Sequence, residues 1–277
     1  MLDKFIFENH LGMRFDGLSN GVYLNSGDMR DYSWNYDTIN NRISRFYKPI
    51  TNRKLPLVVH CNTADEATKI KNRLLDLSEA DIVAKLPGKV YAGEYYTKGY
   101  ITASKKSNYL LTGRYNNIDL TLTSDDPSWY REQMYSFMAT DSAGTTTGDN
   151  GSDYPYDYPY DYAVAFNGRN IVCEAPESSE FILRISGYAV NPMVIIGGHT
   201  YSINGVVGSE ETLVIDSASK TITLTTASGA KVNYFHTRSK ESYIFEPIPS
   251  GINAVNWSGA FSFDLTVVEK RSEPKWT

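Results

Sequence analysis

FSFDLTV, Phe261 to Val267, places Phe261, Phe263, Leu265 and Val267 on one side and Ser262, Asp264 and Thr266 on the other. A period of two belongs to an extended strand with one face buried. The same alternation runs through IDLTLT (Ile118–Thr123), FILRIS (Phe181–Ser186), ETLVIDS (Glu211–Ser217) and KTITLTT (Lys220–Thr226). Gly, Ser, Asn or Pro bounds these runs, as turn residues bound strands. Half-buried antiparallel strands predict sandwiches over α/β layers, so the fold class reads as mainly β. IIGGHTY (Ile195–Tyr201) joins two strand-like pieces through a glycine pair. It lacks the following helix that a phosphate site requires, and a hairpin turn is the stronger reading.

One helix interrupts the strands. Thr63-Ala64-Asp65-Glu66 fits a capping box, in which the threonine oxygen accepts an early backbone N–H and Glu66 reaches back. Behind it Ala67, Ile70, Leu74 and Leu77 form one stripe, predicting a helix over about Asp65–Leu77 lying on a sheet. A second short helical turn is expected over SWYREQMY (Ser128–Tyr135), because Pro127 suits a first helical turn.

Composition sets outer bounds. A hydrophobic share of 41% over 277 residues is ample for a packed core, and 21 tyrosines favour strands. The net charge of −5 gives no general footprint for nucleic acid and weakens attraction to an anionic membrane. No apolar run reaches about 18 residues, so no transmembrane helix is expected, and MLDKFIFENHLGMRF reads better as a first strand than as a signal peptide. Cys61 and Cys173 have no local partner and are expected as buried free thiols of a protein made in a cytoplasm.

The strand pattern stops between Thr140 and Tyr162, where DSAGTTTGDNGS runs into DYPYDYPYDY (Asp153–Tyr162). Such a run fits low-complexity disorder, a tag, a carboxylate metal site or a joint between domains. About twenty structureless residues inside one domain would be unusual, which favours the joint. Pro155 and Pro159 bias Tyr154 and Tyr158 toward extended backbone, so an ordered strap is expected. The division is then 1–140, a strand-and-helix domain; 141–162, a linker; and 163–277, a jelly-roll or lectin-like sandwich.

Searches for chemistry return little. His10, His60, His199 and His236 show no metal spacing, and GxSxG, P-loop and GxGxxG patterns are missing. Asp149–Asp153 suggests a calcium loop but lacks the ligand spacing and closing glutamate of an EF-hand. No catalytic, metal or cofactor residue is assigned. Arg42, Arg45, Lys48 and Arg53, with Phe46 and Tyr47, resemble a nucleic-acid patch locally; a solvated or intersubunit strand pair is the stronger reading. Tyr201 and Trp257 are candidates for stacking on sugars.

Several stretches, in this order, resemble the distal tail protein family of long-tailed bacteriophages and prophages. They are YDYPYDY (156–162), ISGYAVNPMVIIGGHTYSING (185–205), ETLVIDSASKTITL (211–224), NYFHTRSKESYIFEPIPSGINAVNWSG (233–259) and FDLTVVEKRSEPKW (263–276). RFYKPITNRKLPLVVHCNTADEATKIKNRLLDL (45–77) and IDLTLTSDDPSWY (118–130) extend the likeness into the first half. The resemblance implies a non-enzymatic virion protein at the tail tip. Its N-terminal β-sandwich-like domain with one helix would close a homo-hexameric ring, singly or stacked, and its C-terminal galectin-like sandwich would project outward. Implied partners are the major tail tube protein, a tail-associated fibre or lysin protein and receptor-binding proteins; cofactors, specific nucleic acid and membrane are not among them. The alternative is a lectin-like module attaching a tail tip to host glycan through Tyr201 and Trp257.

Overall fold

The computed structural model describes residues 4–25, 29–107, 113–139 and 169–276. The chain divides into unit 1, Met1–Arg131 with Lys270–Thr277, and unit 2, Glu132–Glu269. The expected linker 141–162, with DYPYDYPYDY and the Asp149–Asp153 loop, lies outside the described residues.

Unit 1 contains β1 (Ile6–Glu8), β2 (Arg14–Asp16), β3 (Val22–Leu24), β4 (Asn35–Ile39), β5 (Arg42–Tyr47), β6 (Thr51–His60), α1 (Ala64–Ala84), β7 (Gly88–Ala92), β8 (Tyr95–Ser107), β9 (Tyr115–Ser124) and the start of β10 (Trp129–Phe137). Its strands pair in the orders β2-β1-β7-β8 and β3-β6-β9-β8, all antiparallel. β8 serves both: its residues 95–99 pair with β7 and its residues 100–107 with β9, the second pairing carrying a bulge between Ile101 and Ala103. Alternation does the rest: Leu55, Leu57 and Val59 of β6 and Ile118, Leu120 and Leu122 of β9 turn into one core with Phe7, Val90 and Trp129.

Helix α1 starts as expected. Thr63 Oγ1 accepts the Glu66 N–H at 3.1 Å, and Glu66 Oε2 accepts the Thr63 N–H at 3.3 Å. Ala67, Leu74 and Leu77 are buried, but the helix runs on to Ala84, seven residues past the expected end. The apolar stripe gives out because its next inward positions are polar. Ser78 donates back to the Leu74 carbonyl at 2.7 Å, and Asp81 accepts the His10 N–H at 2.8 Å, with His10 Nδ1 2.7 Å away. The helix ends at Lys85, which takes the left-handed conformation (φ 56°) and donates its N–H to the carbonyls of Asp81 and Ile82.

The expected helical turn over Ser128–Tyr135 is instead strand β10. Trp129 pairs with Thr97 and Tyr130 with Tyr96. An aromatic pair suits the pleated face of an existing sheet, and that pairing overrides the propensity of a proline-led turn.

Unit 2 holds the rest of β10, then β11 (Arg169–Cys173), β12 (Glu180–Ser186), β13 (Ala189–Val190), β14 (Met193–Ile196), β15 (His199–Ser202), β16 (Val206–Val207), β17 (Thr212–Asp216), β18 (Thr221–Thr225), β19 (Lys231–Asn233), β20 (Gly251–Trp257) and β21 (Ser262–Arg271). One sheet runs β19-β18-β17-β12-β21 and a second β11-β20-β14-β15. Phe181, Leu183, Leu213, Ile215, Phe263 and Leu265 of the first share a core with Ile171, Val194, Ile196, Val255 and Trp257 of the second. This is a β-sandwich, as the alternation in FSFDLTV requires. The glycine pair in IIGGHTY turns β14 into β15, with Gly197 at φ 56° and Gly198 at φ 85°. Both cysteines are free thiols; Cys173 is buried, and Cys61 only partly so. Burial pushes the Cys173 thiol up to about 11, which leaves it unreactive.

Candidate functional site

Among the described residues, strands β4 and β5 form a sheet of their own and pair only with each other. Asn40 and Asn41 close the hairpin with φ of 50° and 59°, the left-handed pair that a two-residue loop requires. All eleven strand residues are exposed. The register puts Tyr36 opposite Phe46 and Thr38 opposite Ile43, so these four share one face; Asp37 and Arg45, with Ile39 and Arg42, lie on the other. Lys48 anchors the hairpin's base: its ammonium donates to Ser128 Oγ at 3.0 Å and sits 4.7 Å from the centre of the Trp34 ring. The result is an exposed apolar face on one side of the hairpin and a face carrying two arginines on the other.

A second open feature lies on β8. From Tyr100 to Ser107 it pairs with β9 on one side and with no described strand on the other. Beside it a cleft of about 170 Å³ opens between α1 and the sheet, lined by Leu75, Ile82, Ile101 and Ala103 among others. A strand edge with open backbone groups is adhesive.

The sequence-selected residues separate in three dimensions. Arg42, Arg45, Phe46 and Tyr47 lie on the exposed hairpin and Lys48 at its base. Arg53 does not join them: it is 2% exposed, with Nη2 donating to the Pro127 carbonyl at 2.7 Å and Nη1 to Thr97 Oγ1 at 3.3 Å. Its guanidinium faces the Trp129 ring at 5.7 Å. The β6 alternation turns position 53 inward, so Arg53 is an internal strut, not a surface contact. Tyr201 and Trp257, 1% and 2% exposed, also turn inward and offer no platform to a sugar. Tyr201 donates its hydroxyl to the Glu246 carbonyl at 2.7 Å, and Trp257 Nε1–H donates to the Phe261 carbonyl at 3.2 Å. Both lie on inward positions of their strands, which is where large aromatic rings contribute most to a sandwich core.

Sequence reading missed Tyr36 and Ile39, half of the hairpin. NYDTINNRISRFY carries the signal, an Asn-Asn pair between two alternating runs. It also missed the charge split. Unit 1 carries 21 Lys and Arg against 16 Asp and Glu, a net +5; unit 2 carries 6 against 16, a net −10. Among the described residues no cluster of three or more His, Cys, Asp or Glu could hold a metal ion, and no helix is long and apolar enough to cross a membrane.

The chain matches no family model and no curated protein sequence. Its fold is similar to that of solved phage tail-tip proteins. The Dit protein (gp 19.1) of phage SPP1, described as a paradigm of the hub adsorption apparatus in phages infecting Gram-positive bacteria, superposes with a TM-score of 0.57 at 10% identity, over 96% of this chain and 99% of that one. A chain of the phage P2 baseplate in its activated conformation with calcium gives a TM-score of 0.60 at 11% identity, over 99% and 100%. The strontium form of that baseplate gives the same values.

Proposed function

We propose that this chain is a structural hub of a bacteriophage tail tip, a distal tail protein whose copies close into a six-membered ring. The observation that carries the reading is the β4–β5 hairpin. An isolated two-stranded hairpin wet on both faces is at best marginally stable in water. One that also displays Tyr36, Ile43 and Phe46 on a single face has the character of an arm meant for another chain. A ring needs a heterologous interface, in which two different surfaces of one protein meet. The hairpin and the open β8 edge supply two such unlike surfaces. The shared fold supports the reading, because the likeness runs the length of the chain and through both units.

In this role the ring joins the tail tube protein on one side to a tail-associated fibre or lysin protein on the other. Receptor-binding proteins attach at its flank, and the protein is made in the host cytoplasm and resides in the virion tail tip without catalysing a reaction. Mass in solution by light scattering, combined with negative-stain imaging, tests this. Rings of six, single or stacked, are expected; a monomer that persists at high concentration would overturn it.

A further inference from the structure

Three aromatic rings stand together on the outward face of β3, β6 and β9. Tyr23 of β3 lies opposite Val58 of β6, which lies opposite Asn117 of β9; in the next row of that face His60 lies opposite Tyr115. The alternation that buries Val22, Leu57, Val59 and Asn116 turns Tyr23, Val58, His60 and Tyr115 outward. Tyr23 and Tyr115 are 46% and 43% exposed, and the rings of His60 and Tyr115 meet edge to face with centres 6.4 Å apart. A shallow cavity of about 470 Å³ opens here, lined by Tyr23, Leu24, Asn25, Val58, His60 and Tyr115. None of these described lining residues carries a carboxylate, an ammonium or a guanidinium. Beside Val58, Asn117 keeps a buried side-chain oxygen with no hydrogen-bond partner among the described residues.

We infer that this cleft binds a neutral saccharide, with a pyranose ring stacked on the tyrosines. A pyranose turns C–H bonds outward from its faces and hydroxyls outward from its rim. The negative faces of the Tyr23 and Tyr115 rings attract the C–H bonds. The tyrosine hydroxyls, the Asn25 carboxamide and the His60 ring nitrogens supply donors and acceptors for the rim. The lining selects this occupant over two others. An aliphatic partner would cover those polar groups without pairing them, and a charged one would meet no counter-charge. Asn117 adds a demand for a donor, which a hydroxyl meets and a hydrocarbon does not. The volume falls within the range of about 300–1,000 Å³ common to small-molecule sites. Tyr201 and Trp257, the rings selected from sequence, fill a core, whereas these are wet. The inference goes beyond the tail-hub reading and does not require the ring to close.

Saturation-transfer NMR on the full chain tests it, with the methyl glycosides of glucose, galactose and N-acetylglucosamine as probes at about 10 mM. Transfer to the ring C–H protons of at least one glycoside is expected. Tyr23→Ala and Tyr115→Ala should each weaken that binding about tenfold, the scale of one aromatic contact. Tyr115→Phe keeps the ring and should retain most of the binding. Tyr243→Ala, at a half-exposed tyrosine of unit 2, should change nothing. Melting temperatures close to the parent's verify that the variants fold. No transfer to any of the three glycosides, binding unaltered in both alanine variants, or a loss in Tyr115→Phe as large as in Tyr115→Ala would each overturn the inference. None of these outcomes bears on ring closure, which light scattering and imaging read separately.

Discussion

Tyr36 and Phe46 face each other across the β4–β5 hairpin, and each is 58% exposed. Directly opposed aromatic rings stabilise a strand pair, yet these have no packing on their outer side. Phe46→Ser should therefore leave the fold of a single copy within about 0.5 kcal/mol of the parent, as surface changes usually do. It should abolish assembly. Sedimentation velocity beside thermal denaturation checks both halves, and a large fall in melting temperature with assembly intact would refute the prediction.

Arg53 is the opposite case, a cation built into the interior. Removing a buried charge that donates to Pro127 and Thr97 leaves those acceptors dry. Arg53→Ala should cost about 3 kcal/mol in chemical denaturation. Arg53→Met, which keeps the volume and needs no partner, should cost less. Equal losses would mean that volume contributes nothing and the lost hydrogen bonds account for the whole effect.

Gly88 stands where the β7 backbone passes close to α1 and β1. An added Cβ would lie 2.3 Å from Asp81 Oδ2, 2.6 Å from Phe7 Cε2 and 2.9 Å from the Glu8 carbonyl. Gly88→Ala should destabilise by at least about 2 kcal/mol through overpacking, with no change in backbone conformation required of the glycine itself. A denaturant midpoint equal to the parent's would show that β7 moves freely.

Asp126 predicts a response to acid. Burial pushes its carboxyl up, but hydrogen bonds from Lys270, Tyr130 and Ser128 outweigh that and hold it at about 2. A folded value below the ordinary 3.8 means that the stabilisation is complete above about pH 4 and is lost as pH falls toward 2. The carboxylate side chain is 41% exposed, so solvent screening reduces the contribution to about 1 kcal/mol. The parent should lose this increment between pH 4 and 2, and Asp126→Asn should lack it throughout. Parallel pH profiles for the two would contradict the assignment.

Alternation and capping made much of the architecture legible. IDLTLT, FSFDLTV and ETLVIDS could be placed as strands from their period alone, and Thr63 and Glu66 marked the helix start. What stayed hidden depends on contacts distant in sequence. Ser78 and Asp81 look like the end of an apolar stripe until His10, 71 residues before Asp81, is seen to bond the carboxylate. Arg53 looks like one more surface cation in NRISRFYKPITNRK, and only the inward phase of β6 separates it from Arg42 and Arg45. Tyr201 and Trp257 were selected by residue type, and type does not say which side of a strand faces the core.

Residues Lys270–Thr277 belong to unit 1, although unit 2 precedes them in the chain. Arg30 holds this segment, donating to the Pro274 carbonyl at 3.4 Å and lying 4.3 Å from the centre of the Trp276 ring, and Lys270 binds Asp126 at 2.8 Å. During synthesis the first unit therefore waits for its last piece until the whole of the second has left the ribosome. A fragment ending before Lys270 would leave unit 1 incomplete, because residues 132–269 are inserted within the first unit's sequence.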